Sequence, residues 1–481
     1  MYLSKNIYAD GGRFTDTFAS IGKMRKWIVY TALLLMVMPV QATAQEVYTL
    51  SDCLEYALQH NSDIQKSAYE QQKAKLARQE VLGALLPQIN GSAGINDNLK
   101  KAKFVMPNFM NNMLPEKMRD PNASQYMTVE MGTKYTANAG VALSQQILNM
   151  PLFNALDIAK VSQEMAALGA EATEEEVVAK TATLFYGIQV TDYAVQQMGR
   201  SVNLVEKMLK MMEVNYANGL VKRIDVDRVR VNLTNLKTQK AAIESGLEVQ
   251  KNLLKLQMGW NIDQPISLPP MDFSLVDSQS QADTFRPFNL MQQVAYRQLL
   301  AREKMAQLQN RAKKYEYLPT LTLIFNLQYN RMSDQLFKSS NSYSYPTAMV
   351  GLNLKIPIFS GLSRSAKVKE SHIDLLKAQE DLRMLGQSLQ MARQNALLKL
   401  QDTKSTIALQ KDNQALAEEV FHLAQKNFDS GVASLSDVLN ATQSLIQAQL
   451  SYASALGDYM QAYIDLKKVN GEVMEMITNN H

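Results

Sequence analysis

Two aspartates occupy the same place in a repeated turn. Tyr216–Ala217–Asn218–Gly219 is followed by Ile224–Asp225–Val226, and Phe428–Asp429–Ser430–Gly431 by Leu435–Ser436–Asp437–Val438. The aromatic, Gly, Asp and Val positions recur at an offset of 212 residues. Gly219 and Gly431 suit the positive φ that ends a helix. Asp225 and Asp437 then fall at the start of the next helix, where the dipole favours a negative charge. A carboxylate there can cap its helix; carried by several copies around an axis, it can also form a cation-binding ring. Other chemistry is sparse. His60, His372, His422 and His481 share no metal-ligand spacing, and no nucleophile elbow or phosphate loop is present, so the chain does not read as an enzyme and implies no cofactor. The lone Cys53 reads as a small core residue. Met106, Met110, Met113, Met118, Met127 and Met131 crowd a loop at about 97–133. Thioethers could hold a cuprous ion, but a mildly apolar surface loop explains them more simply.

Such turns need long elements to present them, and the 481-residue chain supplies these twice over. With only 20 Gly and 13 Pro, its Ala/Gln/Leu/Lys/Glu-rich runs favour helix. At the start, Lys23, Arg25 and Lys26 precede an apolar run from Ile28 to Val40, and Ala42–Thr43–Ala44 offers a cleavage site. Residues 1–44 therefore read as a secretory leader with an upstream extension, Met24 being a plausible start. That segment holds five of the 50 basic and two of the 46 acidic residues, leaving 45 against 44 in the mature chain. Such a balance gives no basic face for nucleic acid. A single cysteine means an exported protein without an internal disulfide.

Each half repeats one order: helix, strand pair, very long helix, tight turn, helix. The first repeat covers 45–260 and the second 288–472, joined by a Pro/Ser-rich linker at 261–287 and followed by a tail at 473–481. Thr49-x-x-Asp52 fits a capping box that opens a helix running to Leu86, before Pro87; its counterpart runs from about Asn289 to Leu318, before Pro319. After each proline the period changes to two, with strands expected at about 88–97, 134–147, 320–330 and 348–358. Each has one apolar and one small-polar face, the pattern of membrane β-barrel strands. Long helices follow at about 152–218 and 362–430, each roughly 100 Å long. Tip turns come at about 217–225 and 429–437, and shorter returning helices at 226–258 and 437–470 show coiled-coil spacing. Each returning helix covers half of a long one, so it should stack end to end with an entering helix. Four strands cannot close a barrel, and open edges in lipid cost several kcal/mol per backbone group. Three copies would give twelve strands, continued by a cylinder of helices.

These residues resemble the TolC-like outer-membrane efflux proteins over about 46–472. The carriers are the Leu86-Pro87 and Leu318-Pro319 junctions and the strand-to-helix exits Ser144–Asn149 and Lys355–Gly361. The turns Asn218-Gly219-Leu220 and Ser430-Gly431-Val432, each with an Asp six residues after its Gly, complete the set. The resemblance implies a homotrimer in the outer membrane of a Gram-negative-type bacterium, with a twelve-stranded β-barrel and a long periplasmic α-barrel. It implies a passive exit duct for multidrug efflux or type I secretion, joined through a periplasmic adaptor to an inner-membrane transporter of RND or ABC type. It further implies adaptor docking at Gly219, Leu220, Gly431 and Val432, and a gate at Asp225, Phe428, Asp437 and Asn440. Phe428, Ala433 and Asn440 stand where the family pattern has a Tyr, an Arg and a second Asp, so the polar latch is incomplete; Arg223 or Arg228 could pair with Asp437 instead. The rival readings are a structural periplasmic coiled coil and an adaptor subunit. Neither accounts for a duplicated strand pair.

Overall fold

The computed structural model describes residues 47–272, 287–336 and 342–478. The expected leader at 1–44, the middle of the 261–287 linker and the last three residues of the tail lie outside the described residues. Residues 48–264 and those from 268 onward form one compact unit. Val47 and residues 265–267 belong to a second unit, whose described part is a parallel bridge from Val47 to Ser267.

The first repeat runs α1 (Leu50–His60), α2 (Ser62–Gly83), β1 (Gln88–Asp97), β2 (Ala102–Pro107), α3 (Phe109–Met113), β3 (Tyr126–Met131), β4 (Tyr135–Leu148), α4 (Met150–Ala217) and α5 (Arg223–Met258). The second runs α6 (Val294–Tyr315), β5 (Thr320–Ser333), β6 (Ser342–Lys355), α7 (Ser363–Asp429) and α8 (Leu435–Asn470), before a last turn, α9 (Glu475–Thr478). The duplicated order is as the sequence predicts. With 68 and 67 residues, α4 and α7 are each roughly 100 Å long. One packs beside α2 and α5, the other beside α6 and α8.

The entering helices differ from expectation. Instead of one helix from Thr49 to Leu86, the chain opens on the Thr49/Asp52 capping box and then breaks at Asn61. The cause is distant in sequence. Asn61 Nδ2 donates to the Gln257 carbonyl at 2.6 Å, while its Oδ1 accepts from the Asp63 and Ile64 amides. Gly259, at φ 75°, sits so close that a Cβ would lie 2.4 Å from the His60 carbonyl oxygen. The second repeat has the same junction. Gln293 Nε2 donates to the Val469 carbonyl, and a Cβ on Gly471 would lie 2.9 Å from the Gln292 carbonyl oxygen. Here the expected helix from 289 to 318 shrinks to α6, preceded by a 3₁₀ turn at Leu290–Gln292. Each returning helix thus ends head to tail against an entering segment.

Four of the strands form one antiparallel sheet in the order β1-β4-β5-β6. β1 falls at 88–97 as expected, β4 is displaced by one residue and β5 continues to Ser333. The last strand is corrected from 348–358 to 342–355. Its register with β5 runs from Ser333 opposite Ser342 to Thr320 opposite Lys355, so it ends where its partner begins. Pro346 falls inside it, which an edge strand tolerates. The Met-rich segment is also corrected from a bare loop to a hairpin, in which β2 pairs β3 with Met106 opposite Met127.

The register sorts the sheet into two faces. On one, successive rows read Ile89–Leu143–Phe325–Val350, Gly91–Val141–Leu327–Ala348 and Ala93–Ala139–Tyr329–Pro346. On the other they read Asn90–Ala142–Asn326–Met349, Ser92–Gly140–Gln328–Thr347 and Gly94–Asn138–Asn330–Tyr345. Val350 and Leu352 are largely exposed and Leu327 about half so. Exposing apolar surface of this kind to water is unfavourable by about 25 cal/mol per Å². Among the described residues, β1 and β6 each have one unpaired edge.

Candidate functional site at the paired helix turns

Both long helices end in the same hydrogen-bonded motif. Past α4, the Leu220 amide donates to the Asn215 carbonyl and the Gly219 amide to Tyr216, both at 2.9 Å. Past α7, Val432 donates to Asn427 at 2.8 Å and Gly431 to Phe428 at 2.9 Å. These are Schellman closures, which need a left-handed residue after the cap. Gly219 and Gly431 supply it at φ 74° and 75°. Open space surrounds the Cβ position of each, so the demand for glycine is conformational rather than steric. Beyond them, Leu220 and Val432 are 73% and 80% exposed. Val214, Tyr216 and Ile224 extend the apolar surface of the first turn.

Beneath the turns lies a shared core. Met208 and Met212 of α4, Val226 and Val229 of α5, Phe421 of α7, and Leu435 and Val438 of α8 belong to one buried cluster. Val226 and Val438 directly follow the two aspartates, so one core anchors both helix starts. Phe428 packs against this cluster. Its ring therefore supports the turn from within and is not a free polar latch.

The two carboxylates are held differently. Asp437 completes a capping box: the Ser434 hydroxyl and amide donate to its Oδ2 at 2.7 and 2.9 Å, and its own amide donates to Ser434 Oγ at 3.3 Å. The Ser434 hydroxyl, then its amide, hold the carboxyl below the usual aspartate range. Asp225 has the corresponding position, but Lys222 replaces the serine and makes no side-chain cap. Its carboxylate instead lies 3.4 Å from Arg228 Nη1. Arg223 faces Asp227 at 3.7 Å, and Arg230 bridges Glu213 and Asp227. Within the chain, the sequence-based pairing of Arg223 or Arg228 with Asp437 is therefore replaced by local pairs. Asn440 is exposed, one turn beyond Asp437, and its carbonyl accepts from the Ser444 hydroxyl.

Sequence reasoning missed Ser434, although Ser434-x-x-Asp437 has the same form as Thr49-x-x-Asp52. It also missed Asn61 and Gln293, whose roles depend on carbonyls some 180–200 positions away. Elsewhere, Cys53 is fully buried, which pushes its thiol up to about 12 and leaves it unreactive. Among the described residues, no three His, Cys, Asp or Glu side chains converge on a metal site, and no helix is long and apolar enough to cross a membrane.

Comparison with known proteins places this architecture. The profile described as "Outer membrane efflux protein" matches residues 53–259 and 292–472, one segment in each repeat. Outer membrane protein TolC of Vibrio cholerae is 20% identical over 394 residues, covering 82% of this chain and 83% of the relative. Among solved structures, the V. cholerae outer membrane protein VceC superposes with a TM-score of 0.66 at 15% identity, covering 88% of this chain and 96% of that one. The Campylobacter jejuni CmeC outer membrane channel superposes at 0.67 with 18% identity, covering 88% and 85%. Two matched segments, each holding one Schellman turn and one pair of sheet strands, make this chain a member of the outer membrane efflux protein family, a TolC-like protein of the outer membrane.

Proposed function

We propose that three copies of this chain close a twelve-stranded barrel and form the exit duct of a tripartite efflux or type I secretion system. The observation that carries this is the two-faced sheet with its open β1 and β6 edges. Pairing β1 of one copy with β6 of the next removes the edges, sets the apolar rows against lipid and turns the Asn/Ser/Gln rows inward. The helices support the same assembly. On α7, Met384, Met391 and Leu398 are exposed at steps of seven, as are Leu409, Leu416 and Leu423. Heptad rows of this kind call for partner helices.

Substrates delivered by an RND- or ABC-type inner-membrane transporter would pass through this duct without chemistry. An adaptor would dock on Gly219, Leu220, Gly431 and Val432, where apolar side chains stand exposed on rigid turns. The constriction would fall on Asp437, Asn440 and Asp225, with Phe428 shaping the wall behind them. The test is fractionation and electrophoresis of the native protein. A heat-modifiable trimer in the outer-membrane fraction, conducting in planar bilayers, is expected; a soluble periplasmic monomer would overturn the proposal.

A further inference from the structure

On the apolar face of the sheet, at the end away from the helices, lies a groove of about 470 Å³. This volume is within the range of about 300–1,000 Å³ typical of small-ligand sites. Its floor is Ala93, Ala137 and Ala139, and its walls are Ile95, Tyr329 and Arg331. The register explains the hollow. Ala93, Ala139 and Tyr329 share one row, and Ile95, Ala137 and Arg331 the next. The small side chains of β4, Ala137 and Ala139, therefore lie beside large ones on β5, with Ile95 of β1 on the far side.

Arg331 is the unusual member. Between Leu321 and Tyr329, the β5 residues on this face are all Leu, Phe or Tyr, and Arg331 is the first charge met in moving away from the helices. It is half-buried, and among the described residues it has no ion-pair partner. The nearest acid in sequence, Asp334, is committed elsewhere: Lys101 Nζ lies 2.9 Å from it and the Lys134 amide donates to it at 3.0 Å. The Lys101 ammonium and then the Lys134 amide hold its carboxyl below the usual aspartate range. An unpaired guanidinium above an apolar trough matches one ligand chemistry: an anionic head group carrying an acyl chain. In the exit-duct reading the helices extend into the periplasm, so this end of the sheet lies at the outer leaflet.

We propose that this groove binds a phosphorylated glycolipid of the outer leaflet, with one acyl chain along Ala93, Ala137 and Ala139 and a phosphate on Arg331. Tyr329 lines the chain with its ring, as aromatic residues do at a membrane boundary. The inference rests on the barrel reading above. Arg331 could otherwise only extend its head group into water and hold no particular lipid.

The experiment uses the full mature protein in phosphatidylcholine nanodiscs doped with either diphosphoryl lipid A or phosphatidylglycerol, with bound lipids counted by native mass spectrometry. Wild type is expected to retain lipid A in preference to phosphatidylglycerol. Arg331→Gln should lower that retention about tenfold, the usual effect of losing one charge-assisted contact. Ala139→Leu, which fills the trough while staying apolar, should lower it as well. Equal retention by wild type and Arg331→Gln would overturn the site. Retention of phosphatidylglycerol as strong as that of lipid A would overturn the assignment to an outer-leaflet glycolipid. The same spectra report the oligomer: trimers without a lipid difference sink only the groove, whereas monomers alone sink the barrel reading and the groove with it.

Discussion

The two tip turns share a backbone and differ in charge. Around the first, Lys222, Arg223, Arg228 and Arg230 accompany Asp225 and Asp227, and each of these acids has a basic partner within 4 Å. Around the second, Ser434, Ser436, Asn440 and Thr442 are uncharged, and Asp437 is held by hydroxyl and amide donors alone. Hydrogen bonds satisfy a carboxylate without cancelling its charge, whereas an arginine cancels it. The two turns share the Schellman geometry, while their flanking residues differ. The first turn is thereby equipped with an apolar tip whose acids are paired within a net basic surround, and the second with an aspartate whose negative charge is uncompensated.

This contrast can be broken at several points. The largest effect is expected from charge placed on the turns themselves. Gly219→Asp and Gly431→Asp should each abolish export in a cell-based resistance assay while leaving trimers intact. Both replace a left-handed glycine, at a cost of about 1–2 kcal/mol, and put a carboxylate on the exposed tip. Normal resistance would remove the turns from docking. Next comes the asymmetry of the carboxylates. Asp437→Ala should raise single-channel conductance severalfold and weaken block by divalent cations, while Asp225→Ala, which removes a paired charge, should change both little. Equal effects would show that the Arg228 pair does not neutralise Asp225 in the assembled channel.

A smaller effect separates capping from gating. Ser434→Ala should destabilise the fold by about 1 kcal/mol, the usual loss of an N-cap, while Lys222→Ala at the matching position should be nearly neutral in thermal melts. The pH dependence has a definite sign. The folded pKa of Asp437 lies below its unfolded value of 3.8, so its contribution is present above that value and lost as pH falls through the folded pKa. Ser434→Ala should therefore flatten the acid limb of the stability profile, and cation block should vanish at a higher pH than in wild type. Smallest of all, Arg228→Ala should cost only a few tenths of a kcal/mol, as exposed pairs do, yet should make Asp225→Ala newly visible in conductance. A double mutant no different from Arg228→Ala alone would contradict the pairing argument.

Much of the tip was legible in one dimension, because a Schellman turn and a first-turn acid are local patterns. Gly219, Gly431, Asp225 and Asp437 could be placed by counting residues from helix ends. The partners of those acids were less legible. Arg228 is three residues from Asp225 on the same helix, and spacing allowed that pair as readily as one with Asp437. The ring of Phe428 could not be assigned to core or lumen until Val438 and the neighbouring helices surrounded it. In the sheet, the period-two pattern revealed β1 with its observed bounds, but β6 was shifted: Ile356 and Ile358 continue the alternation past the point where β5 has residues to pair with.

Periodicity, punctuation and duplication by themselves determined the order of elements, the equivalence of the two halves, the long helices and the position of both turns. Each of these follows from local backbone preference and side-chain spacing, which act over a few residues. Tertiary structure alone decided the break at Asn61, the shortened start of α6 and the last strand's register. At Asn61 the helix yields to the Gln257 carbonyl and to the close approach of Gly259, contacts spanning nearly 200 positions. Tertiary structure also decided that one tip aspartate is neutralised and the other only capped, since Coulomb attraction and hydrogen bonding depend on distances that spacing along the chain does not specify.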